Sequence, residues 1–296
     1  MRLDGPILCS LTIRWRWLDA PRLAIIELAE SNTALMLRAR TPQSWIWRVQ
    51  GFRTIRDLMI KQAVAISAGS ALALTLLCPS ASATTACGVS SKAGDLCSCK
   101  VLGLRPTQFA VGMIGVKDKE VVLASKSGPT LSAYQRKHPE PTVKGPGGAL
   151  FITDHHHLAR AMADRGIETT FCQLEADYSD LDPGAFWAKM AEQHWVYLYD
   201  ENGVGPHGPV DLPATVEGLK DDPYRSLASA VRDRGGFVKV STPFAEFEWA
   251  NYFRFSGISK AEIQGNFRKS VKEASVIAAS RDACSLPGYR GPGPCK

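Results

Sequence analysis

The sequence predicts a mixed α/β domain: a small sheet with four to six helices around it and a helical C-terminal part. Three observations carry that expectation. GALFIT (residues 148–153) is a short apolar run bounded by glycines, the mark of a buried strand. Two Asp-Pro steps and one Thr-Pro step each precede residues at helical spacing, and proline at the first helical position suits a helix start. No repeat or low-complexity linker divides the chain from residue 84 onward.

The elements follow in order. LGLRPTQFAVGMIGV (102–116) reads as a short strand with a turn at Arg105 and Pro106. After GALFIT, Asp154 stands where a side-chain oxygen caps a helix, and Gly166 stands where that helix ends. Asp182-Pro183 opens a helix carrying Phe186, Trp187 and Met190. HWVYLYDENG (194–203) reads as a strand entering a turn at Asn202 and Gly203. Asp222-Pro223 opens a helix with Tyr224, Leu227, Ala228 and Val231 on one face, closed by Gly235. Thr242-Pro243 opens another, dense in aromatics: Phe244, Phe247, Trp249, Tyr252, Phe253 and Phe255, a stripe read as core. Ser259 with Glu262 forms a capping box, and Ile263, Phe267, Val271 and Ala274 follow at helical spacing.

Charge and hydropathy divide the 296 residues. The formal net charge of +6 points to nucleic acid only until the charges are located. Residues 1–58 hold nine arginines, five acids and no lysine, and Lys61 adds one more positive charge. From Thr84 onward, 25 basic residues face 24 acidic ones, so the body is nearly neutral. Between these regions, Met59-Ile60-Lys61 leads into an apolar run (62–78), and PSASA ends in Ala81-Ser82-Ala83. That is the three-part plan of a secretory signal peptide over residues 59–83; the run is shorter than the ~20 apolar residues of a membrane span. Residues 1–58 then read as an over-extended gene start, the alternative being a real N-terminal extension ahead of a membrane helix. The expected domain is 84–296, with a core at about 101–258 and a C-terminal helix and tail at 259–296, secreted or periplasmic.

Export changes how the cysteines read. Cys87, Cys97, Cys99, Cys172, Cys284 and Cys295 lie beyond the cleavage site, and an even set in an oxidising compartment favours disulfides. None has CxxC spacing, so a zinc site is poorly supported. Cys97 and Cys99 are too close to bond each other easily. We expect Cys87 to pair with one of them, and Cys284 with Cys295 around a tail too polar to hold itself down.

The chemistry concentrates in GPGGALFITDHHHLARAM (145–162), which holds three of the six histidines. A glycine turn, a strand and a helix start can together form an anion site, with Gly145, Gly147 and Gly148 letting backbone approach a phosphate. The positive end of the helix keeps His155 and His156 neutral, and a neutral imidazole can act as a general base. Adjacent helical residues point about 100° apart, so at most two of the three histidines could share a metal, with Asp154 as a further ligand. The alternative is a polar turn in which one histidine caps, one is exposed and one packs.

The series LRPTQFAVG, VKGPGGALFITDHHHLARAM, DLDPGAFWAKM, VYLYDENG, LKDDPYRSLASAVRDRGG and PFAEFEWANYFR resembles the ParB-like nucleases, a branch of the ParB/sulfiredoxin superfamily, from about Leu102 to Phe255. Relatives often carry an Asp-Gly-His-His-Arg-like segment that holds nucleotide phosphates or nucleic acid. The resemblance places Asp154, His156 and His157 on its aspartate and histidines, with His155 replacing the glycine and Leu158 the arginine. It implies a ParB/sulfiredoxin-like sheet and an exported hydrolase, a nuclease or other phosphodiesterase. In this reading phosphate rests on Gly147, Gly148 and the helix start, and Arg105 and Arg225 act as clamps, the alternative for either being a surface role. His156 or His157 activates water, and Asp154 orients the histidine or, with His156, holds a divalent metal. The ligand is nucleic acid or a nucleotide-like phosphate. The second hypothesis is a non-catalytic phosphate-ligand-binding protein of the same fold, which the neutral body favours. A kinase reading, drawn from other superfamily members, fits poorly with export.

Overall fold

The computed structural model describes residues 85–293, together with the backbone of two short strands near the N-terminus. The chain divides into two compact units, 1–82 and 83–296. In the first, β1 (Leu23–Ile26) pairs antiparallel with β2 (Leu35–Arg38), where no strand period was evident in the sequence. The expected signal segment at 59–83 lies outside the described residues.

The second unit is the predicted mixed α/β fold, built on a curled five-stranded sheet. Its strands are β3 (Leu96–Lys100), β4 (Leu104–Pro106), β6 (Glu140–Lys144), β7 (Leu150–Ile152) and β8 (Thr169–Asp177), in the order β3-β8-β6-β7-β4. β7 runs parallel to β4 and antiparallel to β6, while β6 runs parallel to β8. Two residues each of β5 (Ala110–Val111) and β9 (Lys220–Asp221) pair in a separate parallel ladder. Eight α-helices complete the unit among the described residues: α1 (Met113–Ala124), α2 (Gly128–Lys137), α3 (His156–Asp164), α4 (Pro183–Glu192), α5 (Pro223–Asp233), α6 (Ala245–Phe255), α7 (Lys260–Gly265) and α8 (Phe267–Ala278).

The sheet separates two apolar clusters. On one face Leu104, Ile152 and Leu174 pack with Val116 of α1 and Leu158 and Met162 of α3. On the other, Val143, Phe151 and Ala176 pack with Phe186 and Met190 of α4. The alternation is that of a strand: Phe151 and its neighbour Ile152 point to opposite faces. A third cluster fills the helical C-terminal part, with Leu227, Val231, Trp249, Phe253, Val271 and Ala274 at its centre.

Several local expectations hold. Asp182 accepts from the amides of Gly184 and Ala185, and Asp222 from that of Tyr224, so both Asp-Pro steps cap helices. The Ser259–Glu262 capping box is present. The aromatic stripe is largely core, although Phe255 is exposed. Others need correcting. The 194–203 segment forms no strand: Tyr197 makes an isolated bridge to Gln108, while the turn at Asn202 and Gly203 is present and held by Asp200. α6 starts at Ala245 after a left-handed Phe244, not at Thr242-Pro243. Asn266 ends α7 and caps α8, splitting the helix expected after Ser259.

Two disulfides tie the sheet edge, Cys87–Cys97 and Cys99–Cys172, the second across the β3–β8 ladder. The first is one of the two expected pairings. The sulfurs of Cys87, Cys99 and Cys172 lie within 4.8 Å of one another, but they are spent in disulfides and offer no thiolate to a metal. Cys284 is also disulfide-bonded; Cys295, its expected partner, lies outside the described residues. These bonds fit an oxidising compartment. No helix among the described residues is long and apolar enough to cross a membrane.

Candidate functional site

The residues singled out from the sequence fall at the two ends of β7. Gly145, Gly147 and Gly148 form the β6–β7 turn before it, and Asp154 with the three histidines follows it. The ladder pairs Lys144 with Leu150 at the turn end and Thr142 with Ile152 at the other. The expected convergence of the glycine turn with the helix start therefore does not occur. Each glycine has a local reason instead. A Cβ on Gly145 would stand 2.7 Å from the Phe151 ring and 2.8 Å from the Phe186 ring. Gly147 and Gly148 have φ of 67° and 77°, the left-handed region that favours glycine. Arg105 also belongs away from the histidines. It shares a cleft of about 370 Å³ with Pro146, Phe151 and Trp187, its guanidinium 5.6 Å from the Phe151 ring centre.

The other end of β7 is built differently. The amide of Thr153 donates to Pro141 O at 2.9 Å, continuing the ladder one step beyond the strand. Asp154 is exposed and accepts from the next amide, that of His155, at 2.7 Å. It does not cap α3, as the sequence had suggested. The N-cap position is His155, with φ 61° and ψ 16° and no side-chain cap bond. A non-glycine residue rarely adopts this conformation, though histidine does so more often than most. The backbone here is one that glycine adopts without strain.

The three imidazoles are in three different situations. His156 is buried, and its Nε2 accepts from the Thr107 amide at 3.1 Å. Thr107 Oγ1 in turn donates to Ile152 O at 2.8 Å. His157 Nε2 accepts from the Gly112 amide at 3.1 Å. An imidazole nitrogen that accepts from an amide carries no proton, so both rings are protonated on Nδ1. Burial holds the pKa of each down to about 3. Burial, rather than the helix end, is what lowers His156, and in both rings the lone-pair nitrogen is bonded to an amide instead of open to water. The same bond removes His156 as a metal ligand through Nε2. His155 is the opposite case. Its Nδ1 lies 3.0 Å from Pro139 O, and a carbonyl only accepts, so Nδ1 carries a proton and the neutral ring has its lone pair on Nε2.

Three helix N-termini meet at this end of the sheet. Gly112, the N-cap of α1, is held by His157 of α3. It also lies so close to α5 that a Cβ would stand 2.7 Å from the Ser226 amide nitrogen and hydroxyl. Ser226 Oγ accepts from the Ile114 amide at 3.3 Å, and Asp221 Oδ1 from the Met113 amide at 3.0 Å. Each helix brings the positive end of its dipole, with the first amides of α1 and α5 already bonded to His157, Asp221, Ser226 and Asp222. Arg225, in the first turn of α5, adds a full charge. Its side chain is 12 % exposed and lies over the Phe247 ring, but Glu246 is 3.9 Å away and is held more closely by Arg232. Arg225 Nε is buried without a hydrogen-bond partner. Burial lowers the guanidinium's pKa, which the nearby acids, Asp154 among them, oppose.

Glu140 completes the cluster. It is fully buried, and neither carboxylate oxygen has a partner. Burial pushes its carboxyl well above the usual range, and the charge of Asp154 adds to that shift. Sequence reasoning missed Glu140, Thr107, Gly112 and Ser226. The signal for Glu140 was present, a lone acid between two prolines at the start of a β-capable run. The other three act through contacts across 45 to 112 residues of sequence, which no local pattern reports.

An exposed aspartate, a histidine and a buried arginine near helix N-termini fall at this end of the small mixed sheet, an arrangement with donors suited to an anion. The chain belongs to the family described as "Putative ParB-like nuclease", whose profile matches residues 97–255. It is also similar to a solved structure, that of protein Atu1540 from Agrobacterium tumefaciens, with a TM-score of 0.63 and 34 % identity over 67 % of this chain and 98 % of that one. No curated protein matches.

Proposed function

We propose that the protein is an exported phosphodiesterase of the nuclease type whose centre is Asp154 and His155. The observation that carries this reading is Arg225: a largely buried cation with an unpartnered Nε–H, within electrostatic reach of Asp154 and in the first turn of α5 where helix starts gather. A phosphate oxygen supplies the acceptor that this donor lacks, and a charge-assisted bond of this kind is among the strongest available. His155 Nε2 takes a proton from water as the water oxygen bonds to phosphorus. The ester P–O bond breaks, and its oxygen leaves with the electron pair and takes a proton from solvent. His156 and His157 hold the loop from Thr107 to Gly112 in place and keep the helix starts together. The near-neutral body from Thr84 onward supports a short or single-stranded substrate over long duplex DNA, which is usually gripped by basic surfaces. Export rests on the signal-like segment at 59–83 and the disulfides, and it would place the mature start at Thr84.

The test is hydrolysis of bis(p-nitrophenyl) phosphate and a short single-stranded oligonucleotide. His155→Ala should lower turnover by about 10²-fold or more with the oligonucleotide still bound, and Arg225→Ala should weaken binding itself. A His155→Ala variant that cleaves like the parent refutes the catalytic reading. An oligonucleotide that binds through Arg225 without being cleaved by the parent leaves a phosphate-binding protein.

A further inference from the structure

Two acidic side chains at this site have no account in the steps above. Glu140 is fully buried with both oxygens unpartnered, and a native protein rarely keeps such a group without a purpose. Its neighbour is set by the ladder. β6 and β7 pair Thr142 with Ile152, and the Thr153 amide donates to Pro141 O. Carried one residue further, the same register puts Glu140 across from Asp154. Side chains directly opposite on antiparallel strands lie on one face with Cβ atoms about 5 Å apart, and like charges there repel. The interaction between the two carboxyls is felt at Glu140. Basic groups relieve it only in part: Lys119 of α1 opposes the shift at Glu140, and Arg225 of α5 attracts Asp154.

We propose that Glu140 and Asp154 together hold a divalent cation, which keeps most of its waters and shares the phosphate bound at Arg225. The donors are all oxygen, which selects a hard cation such as Mg²⁺, Mn²⁺ or Ca²⁺. Mg²⁺ is commonly held by one or two carboxylates plus substrate phosphate, so two protein ligands suffice. His156 is not among them, because its Nε2 is committed to Thr107. Glu140 is the buried, unpartnered ligand that makes the pair a site; Asp154, at the surface, is where the ion enters. The two orphaned chemistries of this cluster then complement each other. The guanidinium Nε–H takes one phosphate oxygen, and the carboxylates present the ion to another. Because Lys119 and Arg225 are like-charged to the cation, phosphate should strengthen its binding.

This inference extends the phosphodiesterase reading but is tested apart from it, by Mn²⁺ binding to the whole protein without substrate. Free Mn²⁺ is followed by electron paramagnetic resonance, with and without inorganic phosphate. The parent should bind one Mn²⁺, more tightly with phosphate. Glu140→Gln and Asp154→Asn keep the shape and lose the charge, and each should weaken binding by about tenfold or more. Circular dichroism and thermal melting confirm that both variants fold. No binding by the parent at millimolar Mn²⁺, or a Glu140→Gln variant that binds like the parent, overturns the site. His155-dependent cleavage by a protein that binds no Mn²⁺ at millimolar concentration overturns it and leaves the phosphodiesterase standing. Mn²⁺ bound through Glu140 with no cleavage of either phosphodiester supports it and removes the catalytic reading.

Discussion

The two ends of β7 carry the same kind of sequence signal and have different physical content. At the turn end, every unusual residue is accounted for by packing or backbone: Gly145 lies under two phenylalanine rings, and Gly147 and Gly148 take left-handed backbone. At the helix end, several features exceed what folding requires. His155 occupies a conformation that glycine would adopt more easily, Glu140 is buried with no partner, and Arg225 holds an unpartnered donor. A glycine-rich turn is a cheap way to reverse a chain. A strained histidine beside orphaned charges is a cost that a fold keeps for another reason.

That contrast breaks first on His156. If its role is to hold the Thr107 amide, His156→Ala leaves a buried N–H without an acceptor and a cavity behind it. The expected loss is about 3 kcal/mol, from the unsatisfied donor and the void together. Urea unfolding measures it, and a loss under about 1 kcal/mol would show that the ring is not a structural pin. His157→Ala should behave in the same direction through Gly112, with less burial to lose.

Acid provides the next test. Both rings are neutral in the fold with pKa values near 3, against an ordinary 6.5 for an unfolded histidine. A folded-state pKa lowered in this way contributes stability that is fully present above pH 6.5. It is lost as pH falls toward 3, because the unfolded chain takes up protons that the folded chain refuses. Two such groups give a slope of about 2.7 kcal/mol per pH unit in the middle of that window. Replacing His156 by Gln should halve this component, as read from urea midpoints between pH 7 and 4. An unchanged slope would mean that His156 is already exposed to protons in the fold.

The legibility of these features followed their range. Helices opened by Asp182-Pro183 and Asp222-Pro223 were readable because cap, proline and apolar face lie within a dozen residues. α1 and α2 were not read. α1 mixes its apolar residues around the helix, and Val121, on its outer surface, is exposed. β8, the longest strand of the sheet, alternates threonine, phenylalanine, cysteine and glutamine, a pattern with little apolar weight until the disulfide partner of Cys172 is known. In the candidate site, Asp154 and the histidine triplet were located by their place between a short apolar run and a helix start, and by the family resemblance. Their division of labour was not, because it depends on which nitrogen meets which amide. Thr107 and Gly112 reach those rings from a loop more than 40 residues away. His155 stands where the resemblance places a glycine, and its left-handed backbone is what singles it out.

At the turn end, Gly145→Ala should cost about 1–3 kcal/mol, since both rings that a methyl group would meet are buried and have little room to move. Gly147→Ala meets nothing within 4 Å, so its cost is the left-handed backbone alone, about 1 kcal/mol. Neither change should alter phosphodiester turnover per folded molecule. A specific loss of turnover in either variant would return the glycine turn to the phosphate site and erase the distinction between the two ends.

The smallest expected effect is the most discriminating. His155 at φ 61° bears the same backbone penalty that Gly147→Ala would create. His155→Ala removes the ring and its bond to Pro139 O but keeps the penalty; His155→Gly removes both. The glycine variant should therefore be more stable than the alanine variant by about 1 kcal/mol, the left-handed term in isolation. Against the parent it should be nearly neutral, because relief of backbone strain offsets a lost hydrogen bond of similar size. The two variants differ in backbone strain but agree in lacking an imidazole. Equal loss of turnover in both assigns the chemistry to Nε2 of His155. Retained turnover in His155→Gly, with loss in His155→Ala, would instead assign the effect to the shape of the strand-to-helix bend, which glycine keeps without effort. The base would then have to be sought at Asp154.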